Sequence, residues 1–306
     1  MTLAGLFPLL SQSTQHQGLL ERLKLGQASE QAVLLDSALP YWIGALRNDL
    51  RAPILVLVPR PDKARRVYED LLVWCGEDSE VYQLPEGEML PFERLMANDA
   101  TTHGRIRVLA ALLKLDENKR QLPPIVVASL AAISQKTLSK ETLQDACHYI
   151  TVGQHVNLGN LMERWQRMGY RVERAVEIPG TVSRRGGILD IYSPGSQLPV
   201  RVEFVGDIIE SVRFFDPASQ RSVKPVQRVL ILPAQAALPA FAPQEEVLEL
   251  YSQLDTSNCT ATTRERIKEE MTLLRAGHAP EEPGFYSGFF CRGTPLDFLH
   301  QDGLLV

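Results

Sequence analysis

The residues best suited to recognising a partner lie in the middle of this 306-residue chain, in Arg184-Arg185-Gly186-Gly187, in Val200-Arg201-Val202-Glu203-Phe204-Val205 and in Val212-Arg213-Phe214. Arginine presents a planar fork of donors that meets a carboxylate in two contacts, and a rigid sheet face holds several such forks in register. Two uses of such a face stay open from pattern alone. It is a docking surface, or it is a solvated sheet face whose Arg and Glu pair across strands.

Phosphate chemistry is the second possibility. The loop G-x-x-x-x-G-K-[ST] works because backbone N–H groups wrap the phosphates, a lysine neutralises charge and a hydroxyl holds magnesium. The chain contains no Gly-Lys pair. Between an expected first strand and its helix stands Leu34-Leu35-Asp36-Ser37-Ala38-Leu39-Pro40-Tyr41. That segment lacks glycine and lysine, and its aspartate repels phosphate, so no ATP hydrolysis is expected there.

No other reactive constellation emerges. His16, His103, His148, His155, His278 and His300 are scattered, with no G-x-S-x-G or H-E-x-x-H beside them. Cys75, Cys147, Cys259 and Cys291 lie far apart, and Cys147-His148 has no second pair to complete a zinc site. Asp116-Glu117, beside Asn118-Lys119-Arg120, reads as a solvated loop, and Trp42, Trp74 and Trp165 as core. No catalytic residue, metal or cofactor is assigned.

The elements that must position the arginine face follow from periodicity. Ile54 to Val58 and Ile125 to Ala128 are short apolar runs beside prolines, the form of buried parallel strands. Between them, Lys63 to Trp74 and Arg105 to Leu115 carry helical spacing, with Asp62 as the first cap. Strand–helix alternation predicts a parallel sheet with right-handed crossovers. Near residue 150 the period changes. A helix from Asn157 to Met168 precedes three alternating strands, Gly187 to Tyr192, Pro199 to Val205 and Ile208 to Phe215, a meander with one packed and one wet face. The Ala/Pro-rich stretch Ala234 to Pro243 reads as a linker, followed by helices at Glu245 to Leu254 and Thr262 to Arg275. Gly303-Leu304-Leu305-Val306 reads as a strand just begun, and hence as a sign of a fragment.

The expected architecture is α/β: residues 1–146 a degenerate P-loop-like parallel-sheet unit, 147–233 an inserted α+β unit, and 234–306 a helical return to the first sheet. Charge supports a distinct middle. Residues 147–233 hold 11 Lys/Arg against 8 Asp/Glu, whereas the whole chain carries −5. That balance argues against a chain-wide nucleic-acid surface. The first ten residues lack a basic n-region and a small-residue cleavage site, so a cytoplasmic protein is expected.

The run Arg185-Gly186-Gly187-Ile188-Leu189-Asp190-Ile191-Tyr192-Ser193-Pro194-Gly195, with Pro199 to Glu210 and Phe215-Asp216-Pro217, resembles domain 2 of UvrB, which the bacterial transcription-repair coupling factors share. Val126 to Ile133 and Tyr286 to Val306 extend the resemblance over nearly the whole chain. Two departures side with the N-terminal module of the coupling factors. The phosphate loop of UvrB is lost at Leu34–Tyr41, and its tyrosine-rich hairpin is replaced by Leu84-Pro85-Glu86-Gly87-Glu88-Met89-Leu90-Pro91-Phe92-Glu93-Arg94. The Walker B carboxylates of UvrB would fall past Val306. The resemblance implies a non-enzymatic adaptor that docks UvrA through Arg185, Arg201, Glu203, Phe204 and the position after it. That position, usually aromatic in UvrB, is Val205 here. It also implies that ATP, magnesium, DNA and RNA polymerase are engaged by other domains of a longer protein. The alternatives are a fragment of a UvrB-like ATPase, which nucleotide would stabilise thermally, and a DNA-binding module, whose affinity would fall steeply with salt.

Overall fold

The parallel ladder begins where the sequence places its first proline-bounded apolar run. The computed structural model describes residues 2–26, 30–87, 99–113, 122–281 and 283–306. Contacts divide the chain into two units. One is Met1–Glu86 with Ala111–Gln135 and Pro295–Val306, and the other is Gly87–Ala110 with Lys136–Thr294.

In the first unit four parallel strands run in the order Leu304–Leu305, Ile54–Val58, Ile125–Ser129, Val81–Gln83. The two central strands are continuous β-branched and aliphatic runs because both of their faces are covered. The helix Pro61–Cys75 packs Ala64, Val67 and Leu71 against them. Its first turn differs from expectation: Asp62 is not the cap. Pro61 starts the helix, because its missing N–H and fixed φ suit the first helical position, and Arg60 precedes it in an extended conformation. Asp62 sits inside the first turn, where its charge favours the helix dipole, 3.2 Å from Arg60. The nascent strand at the chain's end is present, with Val306 donating to Leu55 O and Leu57 donating to Val306 O.

The segment Leu34–Tyr41 does not follow a strand. Residues 30–35 are irregular, Asp36–Ala38 forms a single 3-10 turn, and the helix Leu39–Leu50 starts directly after it. Val33 is 93% exposed. Among the described residues no strand lies beside the apolar run Ala32 to Leu35 to take its N–H and C=O groups, and the run forms no ladder there. Of the segment expected to replace the UvrB hairpin, Leu84 to Gly87 is described, and Leu84 donates to Val127 O. Glu88 to Arg94, and Asp116-Glu117 with Asn118-Lys119-Arg120, lie outside the described residues.

The second unit contains a six-stranded sheet, β1 Arg171–Val172, β2 Thr181–Arg185, β3 Ile188–Tyr192, β4 Val200–Val205, β5 Ile208–Phe215 and β6 Ser222–Pro225, in that spatial order. β1 pairs parallel to β2 and every other pair is antiparallel. The expected meander is therefore its centre, extended by three strands that alternation does not reveal. All four residues of β6 are exposed, and β2 ends on two arginines. The helix Leu158–Arg167 is capped by Asn157, whose side chain accepts from the Gly159 and Asn160 amides. It lays Leu158, Leu161 and Trp165 on Val182, Leu189, Ile191, Val200, Val202 and Val212. Each such aliphatic side chain taken out of water contributes roughly 1.5–3 kcal/mol. A separate two-stranded ladder joins His148–Thr151 to Arg228–Ile231.

The stretch expected to be a linker is packed instead. Ala234, Ala237 and Leu238 are buried, the Ala234 amide donates to Met168 O, and Ala237 joins a core with Val247, Met271, Leu274 and Tyr286. Small side chains allow the backbone to approach closely, so Ala/Pro composition here reflects tight packing.

Candidate interaction face

The two-residue turns between β2 and β3 and between β4 and β5 decide where the arginines point. At Arg185-Gly186-Gly187-Ile188 the chain reverses, with Gly186 at φ +60°. Gly206, at φ +61°, does the same between Val205 and Ile208. Glycine reaches this left-handed region without a Cβ penalty, which hairpin turns of this length need. With both turns fixed, the period of two sends Leu189, Ile191, Val200 and Val202 to the core. Ser183, Arg185, Ile188, Asp190, Arg201, Glu203, Ser211 and Arg213 lie on the opposite face.

On that face the charges interlock. Asp190, only 1% exposed, stands directly opposite Arg201 in the ladder. It accepts from Arg201 Nε at 2.7 Å and Nη2 at 2.9 Å. The Arg201 guanidinium also lies 4.6 Å above the centre of the buried Phe215 ring. Its outer edge approaches Gln220, with Nη1 3.4 Å from the backbone O and Nη2 3.4 Å from Oε1. A charged pair of parallel N–H···O bonds is among the strongest local contacts a protein makes. These bonds from Asp190 hold the Arg201 pKa above its ordinary value.

The other expected contact residues differ in kind. Arg185 is half exposed, and its Nη2 is 3.7 Å from Asp190 Oδ2, near enough for charge attraction but too long for a hydrogen bond. Glu203 pairs with Arg213 and accepts from Ser211 Oγ at 2.7 Å. Phe204 is turned away from this face. An irregularity in the β4–β5 register follows Glu203, and the Phe204 side chain packs against the core cluster. Val205, 60% exposed, ends the strand opposite Ile208, itself largely exposed. Arg185, Arg201 and Glu203 thus share one face, Val205 marks its end, and Phe204 supports it from behind.

Asp190, the one acid between the core residues Leu189 and Ile191, has no role that its sequence context alone announces. Alternation alone places it on the Arg201 face. Elsewhere, the burial of His148, helped by nearby Arg164, pushes its pKa down to about 4, and its Nε2 accepts from Trp165 Nε1 at 3.1 Å. Burial raises the Cys147 thiol to about 12, which keeps it protonated and unreactive. Among the described residues no His, Cys, Asp and Glu side chains gather as a metal site, and no helix is long and apolar enough to cross a membrane.

Residues 149–236 match the UvrB interaction domain family. The transcription-repair-coupling factor of Myxococcus xanthus is 33% identical over 293 residues, 92% of this chain and 24% of that protein. That of Bacillus subtilis is 28% identical over 95% of the chain and 24% of the relative. The chain belongs to the transcription-repair-coupling factor family. The Escherichia coli transcription-repair-coupling factor is 24% identical over 86% of the chain and 22% of its own length. The chain thus spans about a quarter of the length of these coupling factors, and within it the UvrB interaction domain is the part that carries the arginine face.

Proposed function

We propose that this chain is the adaptor module of a transcription-repair coupling factor, and that the outer face of β2–β5 recruits UvrA to RNA polymerase stalled at damaged DNA. The observation that carries the reading is the interlocked arginine face itself, lying inside a domain whose family is defined by a UvrB interaction. Residues 147–233 form the docking unit. Arg185, Arg201 and Glu203 supply the polar contacts and Val205 an apolar rim, with Phe204 supporting β4 from the core side. Val205 presents less apolar area than an aromatic would, so affinity rests more heavily on the arginines.

The segment itself performs no ATP hydrolysis in this reading, because Leu34–Tyr41 offers neither the glycines nor the lysine that a phosphate cradle needs. ATP, magnesium, DNA and polymerase are assigned to other domains of a longer, cytoplasmic protein. The test is capture of UvrA by the 306-residue chain, comparing wild type with Arg185→Ala/Arg201→Glu. Charge reversal at a central arginine costs on the order of 2–4 kcal/mol of binding. Equal capture by both proteins would remove the site assignment. Thermal stabilisation by a hundredfold excess of ATP over its Kd, about 2.7 kcal/mol, would return the chain to the nucleotide-binding class.

A further inference from the structure

We propose that Asp190 is a positioning residue: it sets the geometry of the arginine face from beneath without itself meeting the partner. The inference rests on the docking role proposed above, and it follows from four observations. First, the carboxylate is 1% exposed, so a partner cannot reach it. Second, both of its oxygens are engaged by Arg201, through Nε at 2.7 Å and Nη2 at 2.9 Å, which fixes the guanidinium plane. Third, Phe215 below and Gln220 beside that plane leave one orientation for it. Fourth, Arg185, sixteen residues from Arg201 in sequence, lies 3.7 Å from the same Asp190 Oδ2 and remains half exposed.

Two cations brought to one place repel, and one buried anion between them removes that repulsion. The remaining groups on the face close a second set. Arg213 stands opposite Arg201 in the ladder but turns its charge to Glu203, which also accepts from Ser211. Three arginines are therefore held by two carboxylates. The cation left with most of its donors unused is Arg185, so the partner atom that this arrangement prepares for is a carboxylate or a backbone carbonyl facing Arg185. Arg201 then acts as a rigid plate beside it. A long side chain already fixed before binding loses less entropy when the partner arrives.

The test uses the 306-residue chain with UvrA as the probe, measuring Kd for wild type, Asp190→Asn, Arg201→Gln and the double variant. Asparagine keeps the shape and removes the charge. Asp190→Asn is expected to weaken binding about tenfold, and the double variant to bind no more weakly than Arg201→Gln alone, because the two residues act as one unit. Unchanged binding by Asp190→Asn, or strictly additive losses in the double variant, overturns the proposal. In parallel, arginine side-chain 15N–1H spectra report the positioning directly. One slowly exchanging Nε–H is expected in wild type and is lost in both single variants. Its persistence in Asp190→Asn overturns the proposal whether or not UvrA binds. If wild type fails to bind UvrA while this signal behaves as expected, the docking role fails and the positioning stands. Should Asp190→Asn not fold, Arg201→Lys keeps the charge but loses the fork, and its binding at wild-type strength would equally overturn the proposal.

Discussion

The two larger sheets among the described residues handle charge in opposite ways. The central strands of the first unit's parallel sheet are buried almost throughout, and Arg47, in the helix Leu39–Leu50, is buried with no hydrogen-bond partner for Nε and Nη1 among the described residues. Burial lowers the Arg47 pKa. The antiparallel sheet of the second unit keeps one face for Arg201, whose pKa its bonds to Asp190 raise. The same side chain is a packing element in one place and a fixed display in the other. A doubly covered sheet has no free face on which to display a group, whereas a sheet whose second face is only partly covered can hold paired charges there.

The contrast can be broken most forcefully through the helix-covered side of the second sheet. Trp165→Ala opens a cavity among Leu161, Val182 and Val200, and should cost roughly 3–5 kcal/mol in denaturant melts. A loss under 1 kcal/mol would show that the helix Leu158–Arg167 does not anchor the sheet.

The pH dependence is expected to be of similar size. His148 is neutral in the folded state with its pKa lowered to about 4, whereas the unfolded chain binds a proton near 6.5. Its contribution is therefore fully present above pH 6.5 and is lost as the pH falls from there towards 4, on the order of 3 kcal/mol in all. Burial lowers His103 as well, which acts in the same direction. His148→Gln should flatten this slope, and an unchanged slope would assign it to other groups.

Backbone effects come next. Gly186 sits at φ +60° with open space around the position of a Cβ, so Gly186→Ala tests conformation alone. It should cost about 1–2 kcal/mol of stability and tilt the hairpin that carries Arg185. The smallest effect belongs to the first unit. Val33 and Leu35 are exposed and outside the ladder, so Val33→Ser or Leu35→Ser should change stability by no more than about 0.5 kcal/mol. A loss above 1 kcal/mol would place this run in a ladder after all.

Much of this contrast is legible in the sequence, for reasons that particular residues make plain. Ile54 to Val58 and Ile125 to Ala128 are unbroken apolar runs, and a sheet covered on both faces uses such runs. The meander strands are visible because Val200, Val202 and Val212 alternate with Arg201, Glu203 and Arg213. β1 and β6 escape notice because edge strands of two and four residues bury no stripe and so leave no period. Ala234 to Pro243 reads as a linker, although Ala234, Ala237 and Leu238 are packed, because alanine and proline look alike in tight packing and in loops. The site was half legible. Alternation put Arg201 and Glu203 on one face, but it cannot show that Arg201 is only 17% exposed and already paired. It does put Phe204 with Val200 and Val202 on the packed face, where the side chain lies.

The most direct measurement of the central claim is hydrogen–deuterium exchange of the 306-residue chain with and without UvrA. Slowed exchange is expected at the Arg185–Ile188 turn and along Val200–Val205, with the strands Ile54–Val58 and Ile125–Ser129 unaffected. Protection confined to the parallel-sheet unit, or no change at the arginine face under saturating UvrA, would contradict that claim.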